Sequence, residues 1–254
     1  MGAPAQCLSA MPLPLARRQR LPELMDQPGL DPAEHQRALA GLRRINAISR
    51  CSASLFTPIQ ELAARLPERP LRVLDLACGG GDTAIDLALM GRRRGLELEV
   101  EGCDLNPEAV AIATANAHRR GLPLRFFAAD ALADPWAEGP GNANPEGYHV
   151  VLCSLFLHHL DNADAERLLA LMARRARRLV LVNDLIRSPL GFALAWAGTR
   201  LLSRSPVVHT DGPLSVRGAF QLDEVTAMAE RAGLVGADLR RCWPERYLLR
   251  WSRD

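Results

Sequence analysis

Residues Val73 to Thr83 read VLDLACGGGDT, an apolar run followed by three consecutive glycines and the start of an amphipathic helix. A buried strand that breaks into glycines and re-enters as a helix marks a ligand-holding turn. Without a Cβ in the way, a ligand can lie almost on the backbone. Asp75 falls inside the strand, and Asp104 closes the next one, at the distance where a cofactor ribose is held.

Outward from this turn the chain alternates between strand and helix. Residues 72–76 read as the first strand and 82–93 as the first crossover helix. Leu96, Leu98 and Val100 alternate with Glu97, Glu99 and Glu101 in a second, half-exposed strand. An alanine-rich helix over 107–119, a strand over 124–128 and a Pro, Gly and Asn-rich loop over 132–147 follow. Then come a strand over 149–154, a helix over 163–175 and a strand over 179–183. This alternation predicts a doubly wound, mostly parallel, seven-stranded Rossmann-like α/β sheet covered on both faces. The last two strands fall at 237–242 and 247–251, after a helix at 222–232, with Pro244-Glu245 as the turn between them.

Before the sheet, residues 1–20 read as a loose tail. Asp31-Pro32-Ala33-Glu34 is a helix start, with an acidic cap and Pro in the first turn. Leu39, Leu42, Ile45 and Ile48 give that helix an apolar face, and another helix spans 55–66. Residues 1–54 are thus expected to be a tail and helical cap, and 55–254 the main domain. Within it, 188–219 form a lid, made of an apolar helix over 188–202 and a polar stretch from His209 to Ser215.

The 254 residues suit one α/β domain with a modest cap, and 48% apolar composition supports its core. A formal charge of +2 argues against a nucleic-acid surface. Every basic residue of the Lys/Arg pair is Arg, which removes any lysine Schiff base. The six cysteines form no CxxC pair and read as reduced apolar fillers. No transmembrane-length run or secretory signal pattern is found, so a cytoplasmic protein is expected. Arg17, Arg18 and Arg20, with Arg43 and Arg44, read as a solvated face, with peripheral membrane contact as the alternative.

Gly79-x-Gly81-x-x-Ala84 formally fits the dinucleotide fingerprint, which keeps an NAD-dependent oxidoreductase under consideration. Asp82 opposes it. A carboxylate at the helix N-terminus satisfies the free N–H groups and repels a pyrophosphate. Asp75 adds a second negative charge, so the turn suits a phosphate-free, cationic cofactor.

VLDLACGGGDT resembles the first motif of the class I S-adenosylmethionine (SAM)-dependent methyltransferases. Glu101-Gly102-Cys103-Asp104-Leu105 is similar to their second motif, and Asp130-Ala131 to the pair after their third strand. Cys153-Ser154-Leu155-Phe156-Leu157-His158-His159-Leu160 resembles their fourth-strand segment. The resemblance covers about residues 55–185 in order and implies SAM as cofactor. It implies that Asp75, Ala77, Gly79 and Gly81 hold the methionine moiety and that Asp104 takes the ribose hydroxyls. Asp130 and Ala131 would meet adenine, with Ser154, Leu155 and Leu105 lining the pocket.

The resemblance further implies a small apolar acceptor of phenolic, quinone or polyketide type; the apolar helix over 188–202 reads either as a buried helix or as the lining of the acceptor cavity, with Phe192 and Trp196 against the substrate. O-methylation is favoured because His158 aligns with the base of phenol O-methyltransferases, although His159 and Leu160 replace that family's Asp and Trp. His209 with Asp211 is the alternative base pair, and Asp184 could orient a base or cap a helix. A C-methyltransferase of a quinone-type ring and a non-catalytic SAM-binding protein remain open. No metal site is expected, since adjacent His158 and His159 are read as pointing apart.

Overall fold

The computed structural model describes residues 15–26, 30–133 and 147–253. Seven strands, β1 (Leu71–Leu76), β2 (Leu98–Asp104), β3 (Arg125–Ala128), β4 (Tyr148–Ser154), β5 (Ala176–Leu185), β6 (Asp238–Cys242) and β7 (Arg246–Ser252), form one sheet in the order β3-β2-β1-β4-β5-β7-β6. The β1–β5 pairings are parallel, and β7 pairs antiparallel with both β5 and β6. The doubly wound expectation holds. The order reverses between β1 and β4, where parallel sheets open a crevice at their carboxyl ends.

Alternation along the strands divides the core. Val73, Val150, Leu152 and Leu181 face one side, with Leu55 and Ile59 of α2 (Cys51–Arg65) and Ile85 of α3 (Asp82–Arg93). Leu74, Val151 and Val182 face the other, with Leu168 and Met172 of α5 (Asn162–Arg175) and Val225 of α8 (Leu222–Arg231). Each such aliphatic side chain stabilises the fold by about 1.5–3 kcal/mol on burial. α4 (Pro107–Arg119) crosses between β2 and β3, and its cap Asn106 accepts from the Glu108 N–H at 2.9 Å.

The cap begins with α1 (Pro32–Ile48), where Asp31 accepts from the Glu34 N–H at 3.1 Å, as its sequence predicts. α1 packs on α6 (Pro189–Leu202) and α7 (Pro206–Gly218), the two helices inserted after β5. α7 is a correction: the polar stretch 209–215 is helical despite Pro213. Its buried face, Val207, Val208 and Val216, supplies the tertiary packing that outweighs local propensity. Among the described residues, no helix is long and apolar enough to cross a membrane.

The tail expectation also needs correction for residues 15–20. These residues, with 21–26, form a strap laid across the loop after β4 and across α7. Arg18 donates to the carbonyls of Gly218 (2.6 Å), His158 (2.9 Å) and Leu160 (2.5 Å), and lies 3.6 Å over the Phe220 ring. Arg18, expected on a solvated face, is thus half-buried on backbone carbonyls, while Arg20 donates to the His159 carbonyl at 2.9 Å and stays exposed. Arg187 reaches the Leu15 carbonyl while forking onto Glu224 of α8 at 2.9 and 3.0 Å. Residues 1–14, and 134–146 of the expected 132–147 loop, lie outside the described residues.

Candidate functional site

The glycine turn runs from the end of β1 into α3. Ala77, at φ 52°, is left-handed without being glycine, and Gly79 and Gly81 follow at 51° and 77°. Backbone strain in a non-glycine residue gathers where a site requires a particular path. The two glycines do different work. A Cβ on Gly79 would meet nothing within 4 Å, so that face of the turn is open. One on Gly81 would lie 2.9 Å from both Ala113 and Phe126, so Gly81 lets α4 and β3 close in behind the turn.

Asp75 is 1% exposed and accepts from the Ala84 N–H at the start of α3. It is therefore Asp75, from the strand, that meets the helix N-terminus. Asp82 opens α3, as expected, with its carboxylate 3.7 Å from Arg43. The other Asp75 oxygen, Oδ2, is buried without a partner. Burial pushes the carboxyl up to about 8, against the pull of the Ala84 N–H and with the help of the Asp104 charge. An orphaned carboxylate oxygen beside an open glycine face fits a cationic group, such as the ammonium of SAM, and repels a phosphate.

Asp104 accepts from the Gly79 N–H (2.8 Å) through one oxygen and from the Asn106 N–H (2.9 Å) through the other. Both oxygens keep a lone pair for ribose hydroxyls. Leu105 beside it is 71% exposed, an apolar side chain with a bare face. Asp130 accepts from the Leu132 N–H at 2.8 Å and Ala131 is buried below it. On β4, Ser154 Oγ lies 3.0 Å from the Cys51 thiol, and Leu155 is left-handed at φ 55°. The turns after β1 and β4 thus both carry a non-glycine residue at positive φ, on either side of the order reversal.

His158 and Asp184, considered separately in the sequence, are bonded to each other. His158 Nδ1 lies 2.6 Å from Asp184 Oδ1, and the His158 N–H donates to Oδ2 at 3.1 Å. Both are buried, at 5% and 1% exposure. Burial alone would lower the imidazole, but the Asp184 charge and hydrogen bond, with Glu23 adding, raise it. Burial would raise Asp184, and His158 with two backbone N–H groups holds it low instead. His159 is pushed down to about 3 by burial and then by the neighbouring His158.

The other imidazole nitrogen, His158 Nε2, faces Glu23 Oε1 of the strap at 3.8 Å, and Ser215 of α7 donates to the same oxygen at 2.5 Å. The His158 and His159 rings are 4.2 Å apart, so the expectation that they diverge is overturned. Ligand atoms of Glu23, His158 and His159 all lie within 4.8 Å of one another, beside a cavity of about 330 Å³ also lined by Leu21, Leu214 and Ser215. Glu23 carries no pattern in the sequence that marks it; the strap's path over the loop after β4 and α7 brings it here.

His209 and Asp211 do not form a pair. His209 Nε2 is 2.8 Å from the Ser203 carbonyl, and Asp211 accepts from the Leu24 and Met25 N–H groups at 2.8 and 3.0 Å, capping the strap's helical turn. Phe192 of α6 is half-buried, while Trp196 is 52% exposed and lies under the Arg200 guanidinium.

A family model described as a methyltransferase domain matches residues 73–178. The ubiquinone biosynthesis O-methyltransferase of Bordetella parapertussis is 32% identical over 183 residues, 72% of this chain and 68% of that protein. The chain is a class I SAM-dependent methyltransferase. Its cofactor is SAM, and the dinucleotide reading of Gly79-x-Gly81-x-x-Ala84 is set aside. The demethylmenaquinone methyltransferase of Thermus thermophilus is 47% identical over 78 residues, 31% of this methyltransferase and 34% of that protein. Among solved structures, magnesium protoporphyrin IX methyltransferase from Synechocystis with bound SAH (S-adenosylhomocysteine) superposes with TM-score 0.55 at 17% identity, covering 91% of each chain. The plantazolicin methyltransferase with SAH gives 0.63 at 13% identity, covering 89% of this chain and 92% of that one. These two establish the fold.

Proposed function

We propose that this methyltransferase transfers the methyl group of SAM to a hydroxyl of a small phenolic or quinone-type molecule, with His158 receiving the hydroxyl proton. The observation that carries this reading is the buried His158–Asp184 pair, which sets one imidazole nitrogen toward Asp184 and leaves the other facing a cavity. Bound SAM supplies an electrophilic methyl carbon on a sulfonium.

The chain's own groups do the rest. Asp75, with Ala77, Gly79 and Gly81, holds the methionine end, and Asp75 Oδ2 gains the cationic partner it lacks. Asp104 takes the ribose hydroxyls, Asp130 and Ala131 the adenine edge, and Leu105, Ser154 and Leu155 the flanking walls. Asp184 fixes the tautomer of His158 by accepting from Nδ1, so Nε2 is the atom that takes a proton. The strap with α1, α6 and α7 covers the acceptor and excludes water, which strengthens each electrostatic contact inside. The names of the ubiquinone-pathway and demethylmenaquinone relatives support a quinone-type acceptor. Methylation of a ring carbon is the second reading, left open by the demethylmenaquinone relative, whose name specifies no oxygen, and needing no hydroxyl proton acceptor.

A panel of catechols, hydroquinones and hydroxyquinones with radiolabelled-methyl SAM tests the proposal. Label should pass to an alkali-stable aryl ether, and His158→Gln should slow transfer by about 10²–10⁴-fold, the usual weight of a positioned base. Full-rate transfer by His158→Gln would overturn the base assignment, and label on ring carbon alone would favour the second reading.

A further inference from the structure

We infer that Glu23, His158 and His159 form a binding site for one divalent transition-metal ion of the zinc or cobalt type, with Asp184 as the positioning residue behind it. Nδ1 of His158 is bonded to Asp184 at 2.6 Å, and Nε2 points toward Glu23 Oε1 at 3.8 Å. An imidazole nitrogen and a carboxylate oxygen so placed can share one positive charge, either a proton or a metal ion. His159 is the third arm, its ring 4.2 Å from that of His158.

The geometry suits an ion better than a proton alone. The three ligand atoms lie within 4.8 Å of one another. Zinc with bonds of about 2.1 Å sets its ligands about 3.4 Å apart, so modest side-chain adjustment closes the set. Two imidazoles and one carboxylate are a donor set for zinc and its neighbours and a poor one for magnesium or calcium. A carboxylate bonded to the far nitrogen of a ligating histidine fixes its ring and raises its basicity, which is the place Asp184 occupies. The adjoining cavity of about 330 Å³ leaves an open coordination position, where a catalytic ion differs from a structural one.

The inference deepens the methyl-transfer reading: an acceptor hydroxyl in the open position would bind as its anion, its proton given up to solvent as it binds. It also changes the part played by His158, since a nitrogen that holds an ion cannot take a proton. Its test needs no acceptor. The full chain, stripped with chelator, is titrated with cobalt(II), reading visible d–d absorption and metal content after dialysis, and SAH affinity is measured in parallel.

One cobalt per chain is expected, displaced by zinc, with the band lost in Glu23→Gln and His159→Ala. Asp184→Asn should weaken binding by about 10–100-fold. SAH affinity should survive Glu23→Gln and His159→Ala, showing that those variants are folded. Absence of cobalt and zinc binding by the wild-type chain would overturn the site and leave His158 an imidazolium only, as would binding unchanged in Glu23→Gln and His159→Ala. A chain that binds cobalt but not SAH would instead count against the cofactor reading, so the two failures are separable.

Discussion

Asp184→Asn keeps the shape of the side chain and removes its charge. In the native chain one carboxylate accepts from three donors: His158 Nδ1 at 2.6 Å, the His158 N–H at 3.1 Å and the Leu185 N–H at 2.7 Å. An amide offers one oxygen, so its NH2 must confront a backbone donor, and a buried unsatisfied N–H costs about 1–3 kcal/mol. Exchanging a charge-assisted bond for a neutral one adds about 1 kcal/mol. The sum, about 2–4 kcal/mol, lowers Tm by roughly 5–15 °C in a domain of this size.

The loss should depend on pH. His158 is raised from 6.5 in the folded chain, so the stability from its protonation is complete below 6.5 and fades as pH climbs through the raised value. Asp184 is depressed from 3.8, and its contribution is present above 3.8 and lost as pH falls through the depressed value. The penalty for Asn should be largest between those limits and shrink toward alkaline pH. Urea melts of metal-free native and variant chains at about pH 6 and about pH 9 read this directly. A penalty below about 0.5 kcal/mol, within the usual range for surface changes, or one equal at both pH values, would refute the ion-pair account.

Other expectations follow from the same geometry. With the free Asp75 carboxyl near 8, binding of a cationic cofactor head should release a proton. SAH affinity should then rise with pH toward that value, and calorimetry in buffers of different ionisation heat should detect the proton; Asp75→Asn should flatten the profile. Gly81→Ala, at φ 77° with Ala113 and Phe126 2.9 Å away, should cost about 2–5 kcal/mol in a melt. Gly79→Ala, facing open space, should cost only about 1–2 kcal/mol for its φ of 51° while weakening SAH binding in titration. Arg18→Ala removes donors to three carbonyls, and limited proteolysis should then cut within residues 15–26 far faster than in the native chain.

What could be read from the sequence was whatever depends on near neighbours. The VLDLACGGGDT turn, the cap at Asp31 and the alternation of Leu98, Val100 and their acidic neighbours each fix local structure through spacing alone. The proposed cofactor side is assembled from the ends of consecutive strands, so Asp75, Asp104 and Leu155 could be named in order. The acceptor side is not. Glu23 meets His158 because Arg18 and Arg20 bind carbonyls of the loop after β4 and the end of α7, and neither arginine carries a pattern that says so. His158 and Asp184 were both visible, but their bond depends on the register of β4 and β5. α7 was missed because Gly212 and Pro213 are helix breakers by propensity, and the packing of Val207, Val208 and Val216 outweighs them.

The strap is fastened by guanidinium groups reaching main-chain oxygens. Water and dissolved anions compete for such attachments far better than they compete for an oily seam, so this segment can peel away while the sheet beneath stays intact. On the proposed reading, departure of the methylated product would then be timed by the release of a few arginine contacts, and mild chaotropes should quicken turnover well before they unfold the enzyme.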